Sequence, residues 1–140
     1  MLILKRFLGL SWAERKLLLR AALLIGVVRA GLWLFSFRTV QHILAAISKP
    51  SRASQPADRL LWAVTAVSPY LPRASCLTLA LAGQVLLARS GYNSRVEIGV
   101  TRDEQRRFEA HAWLVFQGHV VIGGDEVERY TPLTAWENRV

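Results

Sequence analysis

One cysteine in 140 residues excludes two architectures at once. Cys76 cannot form a disulfide within its own chain, and a structural zinc site built from cysteines is out of reach. The three histidines (His42, His111 and His119) are too scattered to supply metal-ligand spacing, so no metal is expected. Acidic residues are scarce as well, ten against 18 Lys plus Arg, and residues 1–75 hold only Glu14 and Asp58. Uninterrupted hydrophobic runs are also lacking. Arg20 and Arg29 cut the oily segment from Leu17 to Phe37 into Ala21–Val28 and Ala30–Phe37. A spanning helix needs about 20 mostly apolar residues, and each central Arg costs about 2.5–3.5 kcal/mol on insertion scales. No A-x-A-like cleavage site follows the early apolar stretch. A cytoplasmic protein is expected, and peripheral membrane contact is not favoured.

Hydrophobic residues make up 52% of the chain, enough to bury a core, which excludes disorder throughout. The length suits one compact unit and is too short for a cofactor fold of dehydrogenase size; no cofactor is expected. Charge is split unevenly. Residues 1–75 carry 11 basic and two acidic residues, a net +9, whereas residues 76–140 carry seven basic and eight acidic, a net −1. Such asymmetry marks a surface for an acidic partner, a nucleic acid or an anionic membrane. No recognition-helix, RNP-like or zinc-finger motif accompanies it, so nucleic acid is not expected as a partner.

Ser11 and Glu14 form a capping-box pattern that opens a helix. Lys16 and Arg20 share one of its faces, and Leu17, Leu18, Leu24 and Val28 supply apolar surface. Gly31 allows a break before a second helix over Thr39–Ile47. Ser48–Ala57, polar with two prolines, reads as a loop. A third helix starts near Asp58 and stops at Pro69. A fourth runs from about Cys76 to Ala88 and ends near Gly91. The period then changes. Arg95–Ile98 alternates as a half-exposed strand, Thr101–Arg107 is a charged, solvated connection, and Glu109–Phe116 is a second strand. That strand places His111, Trp113 and Val115 on one face. Gln117-Gly118 turns the chain into a third strand, His119–Ile122. The fold class is α+β, with residues 1–50 as an amino-terminal helical region packed on or docking beside a core formed by residues 58–140. Trp12, Trp33 and Trp62 are expected as core anchors. Among the other histidines, His42 reads as a surface or satisfied core residue and His119 as exposed.

Cys76 follows Ser75 in the first turn of an apolar helix, where amide donors and the macrodipole favour an anion. A thiol nucleophile needs an imidazole within reach and a third group to orient it. His111 on a neighbouring strand meets the first need. Alone, Cys76 reads more commonly as a small buried hydrophobe and His111 as a strand histidine satisfied by backbone.

Ser75-Cys76-Leu77-Thr78, Ile98-Gly99-Val100, Glu109-Ala110-His111-Ala112-Trp113, Val120-Val121-Ile122-Gly123-Gly124 and Tyr130-Thr131-Pro132-Leu133 occur in order, after Leu10-Ser11-Trp12-Ala13-Glu14-Arg15. Together they resemble the transglutaminase-like cysteine peptidases that remove leaders in lasso-peptide biosynthesis. The resemblance covers nearly the whole chain. It implies a transglutaminase/papain-like core, a Cys-bearing helix packed on an antiparallel sheet. It further implies Cys76 as nucleophile, His111 as general base and an Asp as third member. At the most direct alignment of that Asp stands Gly123. Asp125 is the first acid downstream, ahead of Glu126, and so is the candidate orienter. Trp113 is a candidate wall of the substrate groove.

The leading expectation is thus a cysteine endopeptidase acting on a precursor peptide. By resemblance it works beside a PqqD-like leader-recognition protein, with a lasso cyclase acting next. Other readings are a further acyl-transfer enzyme of the same fold, amidase or ligase, and a non-catalytic basic adaptor docking through residues 1–75.

Overall fold

A computed structural model describes residues 5, 8–49, 55–70, 75–102, 104–124 and 130–138. Four helices among them, α1 (Trp12–Leu34), α2 (Phe37–Ile47), α3 (Ala57–Val67) and α4 (Cys76–Arg89), precede β1 (Ser94–Arg102), β2 (Phe108–Phe116), β3 (His119–Ile122) and β4 (Thr131–Asn138). The class is α+β, with the Cys-bearing helix packed on an antiparallel sheet.

The capping box at the start of α1 is complete. The Ser11 hydroxyl accepts from the Glu14 amide (3.2 Å) and the Glu14 carboxylate accepts from the Ser11 amide (3.0 Å). The same carboxylate takes Arg59 at 3.2 Å, so a capping residue also ties α1 to α3. Gly31 does not break α1, contrary to the sequence expectation. One glycine costs a helix interior only about 1 kcal/mol relative to alanine. Here that is outweighed by tertiary packing, with Gly31 lying against Val40 of α2. The chain turns only at Phe35-Ser36, and Ser36 caps α2 two residues earlier than expected.

Helix α4 is apolar on every side, and nine of its 14 residues are buried. It therefore needs cover all round. One side lies on the sheet, where a Cβ on Gly83 would fall within 2.9 Å of both Leu114 and Ile122 side chains. The other packs on α1 and α3, so a single apolar cluster runs from Leu17 and Ile25 through Leu87 to Leu114. The end of α4 is a Schellman motif. Gly91 at φ +88° lets its own amide reach the Ala88 carbonyl and that of Tyr92 reach Leu87. Arg89 donates to the Ile47 carbonyl (2.9 Å) and so satisfies the end of α2.

The sheet order is β3-β2-β1-β4, all antiparallel. Gln117 and Gly118, at φ +52° and +78°, form the tight turn that joins β2 to β3. Two strands exceed expectation. β1 extends to Arg102, and β4 was not foreseen as a strand at all. Its Pro132 argues against a central strand but is admissible at an edge, where β4 lies, opposite a register shift at Ile98/Gly99.

The tryptophans correct the sequence reading. Trp12 is 69% exposed, Trp33 85% and Trp62 40%, so none of the three anchors the core. The buried face of α1 is Leu17, Ala21, Ile25 and Val28, a spacing that turns Trp12 and Trp33 away. Leu23, 70% exposed, also lies on the outward side. Leu87→Ala should lower unfolding free energy in urea by about 2–5 kcal/mol, whereas Leu23→Ala should stay within about 0.5 kcal/mol of wild type.

Candidate functional site

Cys76 is the first residue of α4, placed by the Ser75 cap. The Ser75 hydroxyl accepts from the Thr78 amide (3.2 Å) and pairs with the Thr78 hydroxyl (2.9 Å). Thr78 is buried, which fixes the turn on the core. The amides of Cys76 and Leu77 have no acceptor within the helix and lie at its positive end.

The half-buried Cys76 thiol meets β2, where its Sγ accepts from the Ala112 amide at 3.4 Å. Charge on sulfur would strengthen this bond. The neighbouring residue along β2 is His111. Helix and strand thus bring the Cys76 sulfur to the β2 main chain one residue from His111.

His111 is held by the main chain. Its Nε2 lies 2.8 Å from the Gly123 carbonyl oxygen. A carbonyl can only accept, so Nε2 carries the hydrogen, and in the neutral imidazole the lone pair then sits on Nδ1. This is the tautomer a general base requires. Gly123 is itself constrained. It has φ +76°, and a Cβ there would lie 2.7 Å from the Ala112 carbonyl oxygen. A side-chain carboxylate does not fit at this position, and the glycine's own carbonyl stands in the orienting place. Asp125 and Glu126 lie outside the described residues.

An aromatic layer backs the imidazole on the sheet face opposite α4. The His111 ring is 5.1 Å from that of Tyr130 and 6.0 Å from that of Trp113, both tilted by 34°. Trp113, a candidate groove wall by sequence, is only 1% exposed and offers no face to a substrate. Its indole donates to Glu97 (2.6 Å), directly across the ladder, and Glu97 also pairs with Arg95 at 2.7 Å. Gly99, opposite His111, makes room for this layer; a Cβ there would sit 2.6 Å from Trp113 Cη2. His119 and His42 are both exposed and stand apart from the cluster, His119 on β3 and His42 on α2.

Residues 20–135 match the transglutaminase-like superfamily, spanning α1 from Arg20 through most of β4. The chain belongs to that superfamily. No curated protein and no solved structure matches it. Transglutaminase-like proteins usually carry Cys-His-Asp enzymes, which makes thiol-based protease or acyl-transfer chemistry the coarse assignment for this member. Sequence reasoning missed two main-chain groups, the Ala112 amide and the Gly123 carbonyl. Gly123-Gly124 after β3 was the available signal, since paired glycines favour positive φ.

Gly123→Ala should cost more than 1 kcal/mol of stability, being both strained and crowded. It should also release His111, and ¹⁵N NMR of the imidazole would then report mixed tautomers in place of the Nε2–H form.

Proposed function

We propose that the chain is a cysteine endopeptidase that cuts the leader from a lasso-peptide precursor. The observation that carries the reading is that a helix-start thiol accepts from the Ala112 amide, one residue along β2 from a histidine whose Nε2–H is already engaged by the Gly123 carbonyl. The ordered motifs, from Ser75-Cys76 to Tyr130-Thr131-Pro132-Leu133, support the choice of substrate.

In this mechanism His111 Nδ1 takes the thiol proton and Cys76 Sγ attacks the scissile carbonyl carbon. The amide of Cys76 faces the developing oxyanion. The C–N bond breaks as the imidazolium returns its proton to the departing amine, leaving a thioester. A water, deprotonated by Nδ1, then attacks. The products are a free leader carboxylate and a regenerated thiol. Leader binding falls to a separate PqqD-like recognition protein, and a lasso cyclase would take the released core. The reading leaves Asp125 to contribute charge to a histidine that the Gly123 carbonyl already orients.

Mass spectrometry of precursor mixed with this chain and the recognition protein tests the proposal. Hydrolysis adds one water across the leader–core bond; a ligase or amidase would transfer the leader to an amine or leave the precursor uncut. Cys76→Ala should abolish cleavage with the fold retained, and cleavage near the wild-type rate would overturn the reading. His111→Ala should lose about 10²–10⁴-fold in kcat/KM, and His119→Ala should stay close to wild type. Asp125→Asn should stay within about tenfold of wild type. A loss equal to that of His111→Ala would give the orienting role to Asp125.

A further inference from the structure

Helix α1 has two apolar faces, and the fold uses one. Leu17, Ala21, Ile25 and Val28 are buried against the helical core. On the opposite side Trp12, Lys16, Leu19, Leu23, Val27 and Leu34 repeat at helical spacing, all exposed. Leu19 is 60% exposed, and Trp33 stands beside the far end of the row. The two tryptophans are about 32 Å apart along the helix. Apolar surface continues to either side, with a cavity of about 310 Å³ between Leu23, Val27 and Leu86 and another of about 720 Å³ between Leu19, Trp62 and Tyr70. A contiguous patch on this scale marks an interaction site rather than scattered surface hydrophobes.

Its charge selects the occupant. Residues 1–49 hold eight Lys and Arg and one acid, Glu14, which is engaged by Ser11 and Arg59. Lys16 lies within the row, its ammonium over the Trp12 ring at 5.6 Å, while Arg20 and Arg29 are exposed beside it. A second copy meeting this face symmetrically would oppose like charges. An anionic bilayer supplies both complements, acyl chains for the leucines and headgroups for the cations, and tryptophans favour its interface.

We infer that α1 lies flat on an anionic phospholipid membrane, with its Leu19–Leu23–Val27 row in the acyl boundary and Lys16, Arg20 and Arg29 among the headgroups. α1 is long and apolar enough by length and composition to cross a membrane. Crossing, however, would strip Ile25 and Val28 from the core and draw both arginines into hydrocarbon. Lying flat requires neither. With α4 between α1 and the sheet, the Cys76–His111 site is held away from the lipid. The inference is independent of the peptidase reading and survives if that fails.

Flotation of the full chain tests it, using vesicles of phosphatidylcholine alone and of equal parts phosphatidylcholine and phosphatidylglycerol. The wild type should float with the mixed vesicles, poorly with the neutral ones, and be stripped by alkaline carbonate. Lys16→Glu/Arg20→Glu should reduce partitioning at least about tenfold, given about fivefold for each basic charge near such a surface. Leu19→Gln/Leu23→Gln should reduce it comparably, with melting temperature little changed because both positions are exposed. In the wild type, brominated acyl chains should quench tryptophan fluorescence, and Trp33→Phe should lose part of that quenching. Absence of flotation, equal flotation of the charge-reversed variant, or retention after carbonate would overturn the inference. So would a dimer in ultracentrifugation that Leu23→Gln disrupts while vesicles leave the protein unbound.

Discussion

The burial of α4 on all sides is the constraint from which the rest of the arrangement follows. A helix carrying Ala80, Leu81, Val85, Leu86, Leu87 and Ala88 has no side to offer water. The sheet covers one flank and α1 with α3 cover the other. Because both layers grip the same helix, its amino-terminal turn is immobilised from two directions, and that turn carries Cys76. The thiol sits where two layers meet, on an element whose position the whole core determines. Small residues make the close approach feasible. Gly83 lets β2 and β3 come to the helix axis at Leu114 and Ile122.

A second dependence runs through backbone groups. The sulfur accepts from the Ala112 amide, and the imidazole donates to the Gly123 carbonyl. Neither partner has a side chain that chemistry could select. A neutral carbonyl orients an imidazole as well as a carboxylate does, but it lacks the charge that would stabilise an imidazolium. Cysteine tolerates that loss better than serine, because a thiol is the stronger nucleophile at neutral pH.

Legibility in the sequence followed the physics of each element. Capping residues and turn glycines are local signals, so Ser11, Ser75, Gly91 and Gln117-Gly118 marked their boundaries well. The 3.6-residue and 2-residue periods marked α1, α4 and β2. Failures came where tertiary context decides. Gly31 was read as a break because its contact with Val40 is invisible to local propensity. β4 was missed because Pro132 suppresses a strand signal that an edge position can carry. The tryptophans were read as core because size suggests burial, yet on α1 they fall outside the buried stripe. Cys76 and His111 were legible as candidates through the motifs around them. Their main-chain partners were not, since any residue can supply an amide or a carbonyl.

β3 is four residues long and leaves the sheet at Gly123, one step past its pairing with Leu114. Past that point the Ala112 amide of β2 meets the Cys76 sulfur and the His111 imidazole meets the Gly123 carbonyl, in place of a ladder partner. The site is in effect a vacancy in a hydrogen-bond ladder, filled by a thiol. That contact could be lost without altering either side chain: an insertion that let β3 zip onward would satisfy Ala112 with a carbonyl and evict the thiol. Strand length alone can thus decide whether Cys76 keeps its contact with β2, with no change at Cys76 or His111.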